Sequence, residues 1–170
     1  MIDEYDLKIL NILQENARTP NVRIAREIGM APSAVFERIR KLEARGVIQG
    51  YEARIDPQAL GLGLLAFVFV RSEDATTGTD PYGKRLAEIP EVQEVHHIAG
   101  EDCFLVKVRA ADARELGRLL REKFGGLGRL RTRTTVALET IRESAKLPLG
   151  GRVWPSDGEE GEEEPEARRA

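Results

Sequence analysis

The chain has 170 residues, 41% of them hydrophobic and 32% charged, which supplies a core for one ordinary domain or two small ones and excludes disorder throughout. One cysteine, Cys103, excludes an internal disulfide and a cysteine-based zinc cluster, and no apolar run approaches the roughly 18 residues a membrane helix needs. The start, Met1-Ile2-Asp3-Glu4-Tyr5-Asp6, is acidic where a secretory signal would be basic, so a cytoplasmic protein with no metal and no bound cofactor is expected.

The net charge of -3 is unevenly spread. Residues 151–170 hold three Arg against seven acidic residues, which leaves residues 1–150 at net +1. A tail over 150–170, acidic and nearly without apolar residues, is expected to be disordered.

A first helix should open at Asp3, whose side chain can cap the first turn, with Glu4 and Asp6 at the positive end of the helix dipole. Leu10, Leu13 and Ala17 are expected to form its buried stripe. Thr19-Pro20 reads as an N-cap followed by proline at the first helical position. Ile24, Ala25 and Ile28 then share one face of a short helix. Only Gly29-Met30-Ala31 separates it from the next, where Val35, Ile39 and Leu42 make a stripe at i, i+4 and i+7. Two helices joined by so short a turn must cross steeply, the helix-turn-helix arrangement, with the second helix as DNA reader. Pro32 opens that reader behind Ala31, which has no capping oxygen, and Gly46 ends it at a left-handed position. Four basic and two acidic residues fall within 31–50.

Three helices in so few residues bury little area, and support is expected from an extended segment over 47–55, in which Ile48, Tyr51, Ala53 and Ile55 alternate. Gly61 and Gly63 mark a hinge. From Leu64 the period becomes extended. Leu64 to Val70 is a strand apolar on both faces; a helix capped by Asp80, with Pro81 first and Leu86 and Ile89 inward, follows. Strands near Val92 to Ala99 and Phe104 to Val108 flank the turn Gly100-Glu101-Asp102. Asp112 and Glu115 form a capping box for a helix carrying Leu116, Leu119, Leu120 and Phe124, which Gly125-Gly126 should stop. Arg131 to Ile141 reads as the last strand.

The fold class is therefore α+β: a helix-turn-helix domain over residues 1–60, then a ferredoxin-like βαββαβ domain over 61–149. Its helices cover one sheet face, so the row Leu65, Phe67 and Phe69, or the alternate row, is left for a second molecule, and a homodimer is expected.

The reader's candidate DNA contacts are Pro32, Ser33, Ala34, Phe36, Glu37, Arg38, Arg40 and Lys41. The cations suit phosphates or guanine edges, and the small Ser33 and Ala34 permit close approach to bases. Arg38 reads equally as a bridge between helices, and Glu37 as an i+4 partner of Lys41. His96 and His97, adjacent in a strand, point to opposite faces and cannot share a metal. Cys103 has no recognisable catalytic partners nearby and reads as a small packed hydrophobe, so the chain is not expected to be an enzyme.

Taken in order, Ile2-Asp3 with Asp6 and Ile9-Leu10, Ala25-Arg26-Glu27-Ile28-Gly29, Arg38-Ile39 with Leu42-Glu43, Gly46-Val47-Ile48-Gln49-Gly50-Tyr51, Ile89-Pro90-Glu91-Val92 and Ala99-Gly100-Glu101-Asp102 before Leu105-Val106-Lys107-Val108 resemble the Lrp/AsnC, or feast/famine, family of prokaryotic transcription regulators. The resemblance spans roughly residues 2 to 149 and rests on the order and spacing of these pieces together. It implies a winged-type DNA-binding domain, and a C-terminal regulatory (RAM) domain in a dimeric α/β sandwich. It implies dimers that assemble further, as into octamers, and an amino acid or related small molecule bound between subunits at Ala99, Gly100, Glu101, Asp102 and Cys103. Three positions depart from the family pattern: Cys103 stands where an acidic residue is frequent, Glu37 where a basic one is, and Ala31 where a Ser cap is usual. The competing readings are an architectural, weakly sequence-selective DNA-binding protein without an effector, and a small-molecule or thiol-enzyme domain.

Overall fold

The structure, a computed structural model, describes residues 2–72 and 82–150, in two compact units. One runs through Ala53 and resumes at Ser144; the other is Arg54–Glu143. The division thus falls near residues 53 and 143, where the sequence placed it at 60 and 149. The acidic tail beyond Gly150 and the pair Asp80-Pro81 lie outside the described residues.

The first unit holds α1 (Glu4–Glu15), α2 (Asn21–Ile28) and α3 (Pro32–Ala44). Asp3 caps α1 as expected, and the cap is reciprocal: its Oδ1 accepts from the Asp6 amide at 2.9 Å, and Asp6 Oδ2 accepts from the Asp3 amide at 3.2 Å. Ile9, Ile24, Ala25, Val35, Ile39 and Leu42 form the core, with Leu10, Leu13, Ile28, Val47 and Ile48 packed against it. Ile9 replaces Ala17 in the expected stripe, because α1 stops at Glu15 and leaves Ala17 exposed. Thr19 does not cap α2. Its hydroxyl donates to the Asn16 carbonyl at 2.8 Å, and Pro20 occupies the cap position with Asn21 first in the helix.

The expected extended support over 47–55 forms no strand, and Tyr51 and Ile55 are exposed. Only Val47 and Ile48 reach the core. Additional anchoring comes from the far end of the chain: the Leu147 amide donates to Gln14 Oε1 at 2.7 Å, Gln14 Nε2 donates to the Leu147 carbonyl at 3.3 Å, and Lys146 pairs with Glu15 at 2.6 Å.

The second unit comprises β1 (Leu64–Ser72), α4 (Tyr82–Ala87), β2 (Val92–His97), β3 (Phe104–Ala110), α5 (Ala113–Leu119) and β4 (Leu130–Val136). Its sheet is antiparallel in the order β2-β3-β1-β4, the ferredoxin-like arrangement. Ala66, Val68 and Val70 of β1 share a core with Val106 and Val108 of β3 and with Leu86, Ile89, Leu116, Leu119 and Phe124 from the helical layer. Asp112 caps α5, accepting from the Glu115 amide at 2.8 Å. Gly125-Gly126 does not end the helical path: a π-turn over Leu120–Phe124 and a 3-10 turn over Gly125–Leu127 carry it on to Gly128, at φ 146°. β4 stops at Val136 rather than Ile141 because its partner β1 begins at Leu64; Val136 already faces Ala66, and the Ala137 amide closes the ladder on the Leu65 carbonyl.

The opposite sheet face is less apolar than its β1 row suggested. Leu65 is buried and Phe67 and Phe69 are half-buried, but Lys107 stands opposite Phe67 and Arg109 opposite Leu65. Lys107 pairs with Glu94 at 2.8 Å and with Glu143, while Arg109 reaches Glu143 at 2.8 Å.

Candidate DNA-reading face and effector loop

On α3 the apolar stripe does what its spacing requires: Val35, Ile39 and Leu42 are buried, which turns Pro32, Ser33, Phe36, Glu37, Arg40 and Lys41 to solvent, with Ala34 and Arg38 between. The open side chains differ in how free they are. Glu37 pairs with Arg40 at 3.4 Å, not with Lys41, so Lys41 keeps its charge for an outside partner.

Arg38 has left the open face. Its Nη1 donates to Asp6 Oδ1 and to Asp3 Oδ2, each at 2.7 Å, and its guanidinium lies 5.6 Å from the Tyr5 ring centroid. These two carboxylates, Asp6 before Asp3, raise its pKa further. Asp3 shows the other side of the bond: burial pushes its carboxyl up, but the Asp6 amide and Arg38 outweigh this and hold it below the usual range. Arg38 therefore ties the reader helix to the start of α1. Two exposed cations not singled out from sequence, Arg23 and Arg26 on α2, belong to the same unit.

The proposed effector residues Ala99 to Cys103 form the loop between β2 and β3. The Ile98 amide donates to the Cys103 carbonyl and the Cys103 amide to the Val70 carbonyl, both at 2.9 Å, so the loop is pinned at its base and to β1. Gly100, at φ 142°, takes a conformation that side chains disfavour, and Ala99, Gly100 and Glu101 are exposed. Asp102 is half-buried and accepts from Arg133 Nη2 at 3.0 Å, while the Arg133 guanidinium lies 3.9 Å from the Phe69 ring centroid. Sequence reasoning missed Arg133, because 31 residues separate it from Asp102 and only the pairing of Phe69 with Arg133 brings β4 beside the loop. Cys103 packs against the core of its unit. His96 bonds Glu94 at 3.2 Å and His97 stacks near Phe104, with ring centroids 5.2 Å apart. Among the described residues, no group of three or more His, Cys, Asp or Glu is placed to hold a metal ion.

A helix-turn-helix unit followed in the same chain by a ferredoxin-like unit is the architecture of a transcription regulator with a DNA-binding part and a separate ligand-binding part. Family models agree: winged helix-turn-helix DNA-binding matches residues 2–49, and Lrp/AsnC ligand binding domain matches residues 65–147. The chain belongs to the Lrp/AsnC family of transcriptional regulators.

Among its relatives, the HTH-type transcriptional regulator FL11 of Pyrococcus horikoshii is 37% identical over 149 residues, covering 87% of this chain and 97% of that protein. The leucine-responsive regulatory protein of Escherichia coli is 34% identical over 153 residues, covering 89% and 93%. Among solved structures, a transcriptional regulator of Neisseria meningitidis in complex with L-Met matches with a TM-score of 0.82 at 26% identity, over 88% of this chain and 98% of that one. The feast or famine regulatory protein of M. tuberculosis complexed with L-methionine matches at 0.81 and 36% identity, over 86% and 99%. No described helix is long and apolar enough to cross a membrane.

Proposed function

We propose that this regulator binds a pseudo-palindromic operator as a homodimer, or a higher even assembly such as an octamer, through the outer face of α3, and that an amino acid bound at the loop Ala99 to Cys103 modulates that binding. Two reader helices related by a two-fold axis match half-sites about one helical turn, or a multiple of it, apart. The second copy has a natural seat on the sheet face bearing Phe67 and Phe69, which none of the described helices of the unit covers.

The observation that carries the sensing reading is the Asp102–Arg133 pair at 3.0 Å beside the exposed backbone of Gly100. A free amino acid is a zwitterion: its ammonium suits Asp102 and its carboxylate suits Arg133. Two structural relatives hold L-Met in their solved forms. Binding that favours one of two assembly states shifts DNA affinity by the difference in its affinity for them.

The test is the affinity of the full chain for its own promoter region at fixed salt, against random DNA, with L-methionine and then other amino acids added singly. A change of about tenfold, abolished in Asp102→Asn while DNA binding persists, is the expected result. Specific DNA binding indifferent to every amino acid would return the loop to a plain connection. Equal competition by random DNA would favour the architectural reading instead.

A further inference from the structure

Phe36 is the one large apolar side chain of α3 that the fold leaves out: Val35, Ile39 and Leu42 are at most 9% exposed, and Phe36 is 53% exposed. It is the fifth residue of the helix, one turn beyond Ser33 and one turn before Arg40. Its neighbours Glu37 and Arg40 pair with each other at 3.4 Å, and about half of the phenyl ring's surface is open to solvent.

A phenyl ring neither hydrogen-bonds a base edge nor gains by approaching a phosphate. The major groove offers it one apolar group, the C5-methyl of thymine. Pro32, Ser33 and Ala34 ahead of it are compact, and a first turn without long side chains lets the helix approach closely enough for a ring at this position to reach the base edges.

We infer that Phe36 is a specificity-determining residue that packs on a thymine methyl group in each operator half-site. The inference rests on the reading of α3 as the DNA-reading helix, and its chemistry is separable from that reading. A cation such as Lys41 binds every sequence alike, whereas Phe36 discriminates thymine from cytosine and from uracil at one step.

The experiment uses the full chain and a duplex selected by it from a random pool. Each thymine is replaced in turn by deoxyuracil, which removes only the methyl group. The wild type is expected to lose about fourfold in affinity at one thymine per half-site, the value of one buried methyl. Phe36→Ala should bind more weakly overall, show no loss at that thymine, and match the wild type at every other one. Its melting temperature should not change, because the buried face of α3 is untouched. Equal losses in both proteins at every position overturn the inference, as does a wild type indifferent to all methyl groups. Phe36→Ala sedimenting as a smaller assembly also overturns it, by assigning the ring to a contact between copies. Failure to select any duplex is a separate result, which removes the α3 reading itself.

Discussion

At the scale of single residues, two cations three positions apart on α3 have opposite tasks. Arg38 is spent on Asp3 and Asp6, whereas Lys41 is exposed and in no ion pair with another described residue. Arg38→Ala should therefore cost about 1–2 kcal/mol of stability in the first unit, since Asp6, only 7% exposed, loses its charged partner; urea unfolding followed by circular dichroism measures this. Lys41→Ala should leave stability within about 0.5 kcal/mol of wild type and weaken binding about equally on all DNA sequences. Its log-affinity against log-salt slope should flatten by about one unit if a single phosphate is involved. A loss confined to one base pair would sink that assignment. Helical period alone told Lys41 apart from the core. It placed Arg38 on the same open flank, because the carboxylates that claim Arg38 are 32 and 35 residues away.

At the scale of elements, the boundaries that sequence misplaced were those decided by a neighbour. β4 cannot run on to Ile141 because β1 begins only two residues beyond Ala66, the partner of Val136, and the continuation Ala137-Leu138-Glu139-Thr140-Ile141 gives no local sign of that. Likewise the helical path that follows α5 passes through Gly125-Gly126, a usual stop, and turns only at Gly128. Gly128 combines two constraints: a φ of 146°, and a Tyr82 hydroxyl oxygen 2.8 Å from where a Cβ would stand. Gly128→Ala should cost about 2–3 kcal/mol in urea unfolding. Gly46→Ala, at φ 69° with nothing within 4 Å, pays only for the left-handed backbone, about 1 kcal/mol. Equal costs would show that Tyr82 yields freely. The starts of elements were more legible. Asp3, Pro32 and Asp112 act on amides within three residues of themselves or on their own backbone, so their chemistry is complete in the local sequence.

For the whole molecule, the charged network on the open sheet face sets an acid limit. Lys107 holds Glu143 and Glu94 below the usual 4.5, and Lys123 does the same to Glu91. A carboxyl whose folded pKa is depressed contributes stability fully above its unfolded value and loses it as pH falls through the folded one. Melting temperature should accordingly be flat from pH 7 to about 5 and fall below about 4.5. Glu143→Gln should lower it at pH 7 and make the fall shallower; an unchanged profile would remove Glu143 from the network. The same face is the proposed seat of a second copy, so Phe67→Asp should convert the assembly to monomers in sedimentation velocity while each unit keeps its helical and sheet signal. A variant that still sediments as a dimer would place the interface elsewhere.

The sequence by itself determined the helix-turn-helix, the βαββαβ order, the buried stripe of α3 and the turn at Gly100-Glu101-Asp102. Each of these follows from periodicity, capping or turn chemistry within a window of a few residues. Tertiary structure alone decided that Arg38 is structural, that Arg133 faces Asp102, that residues near Leu147 anchor α1, and where β4 stops. Those outcomes depend on cross-strand register and on contacts between residues tens to more than a hundred positions apart, which no local pattern of side chains encodes.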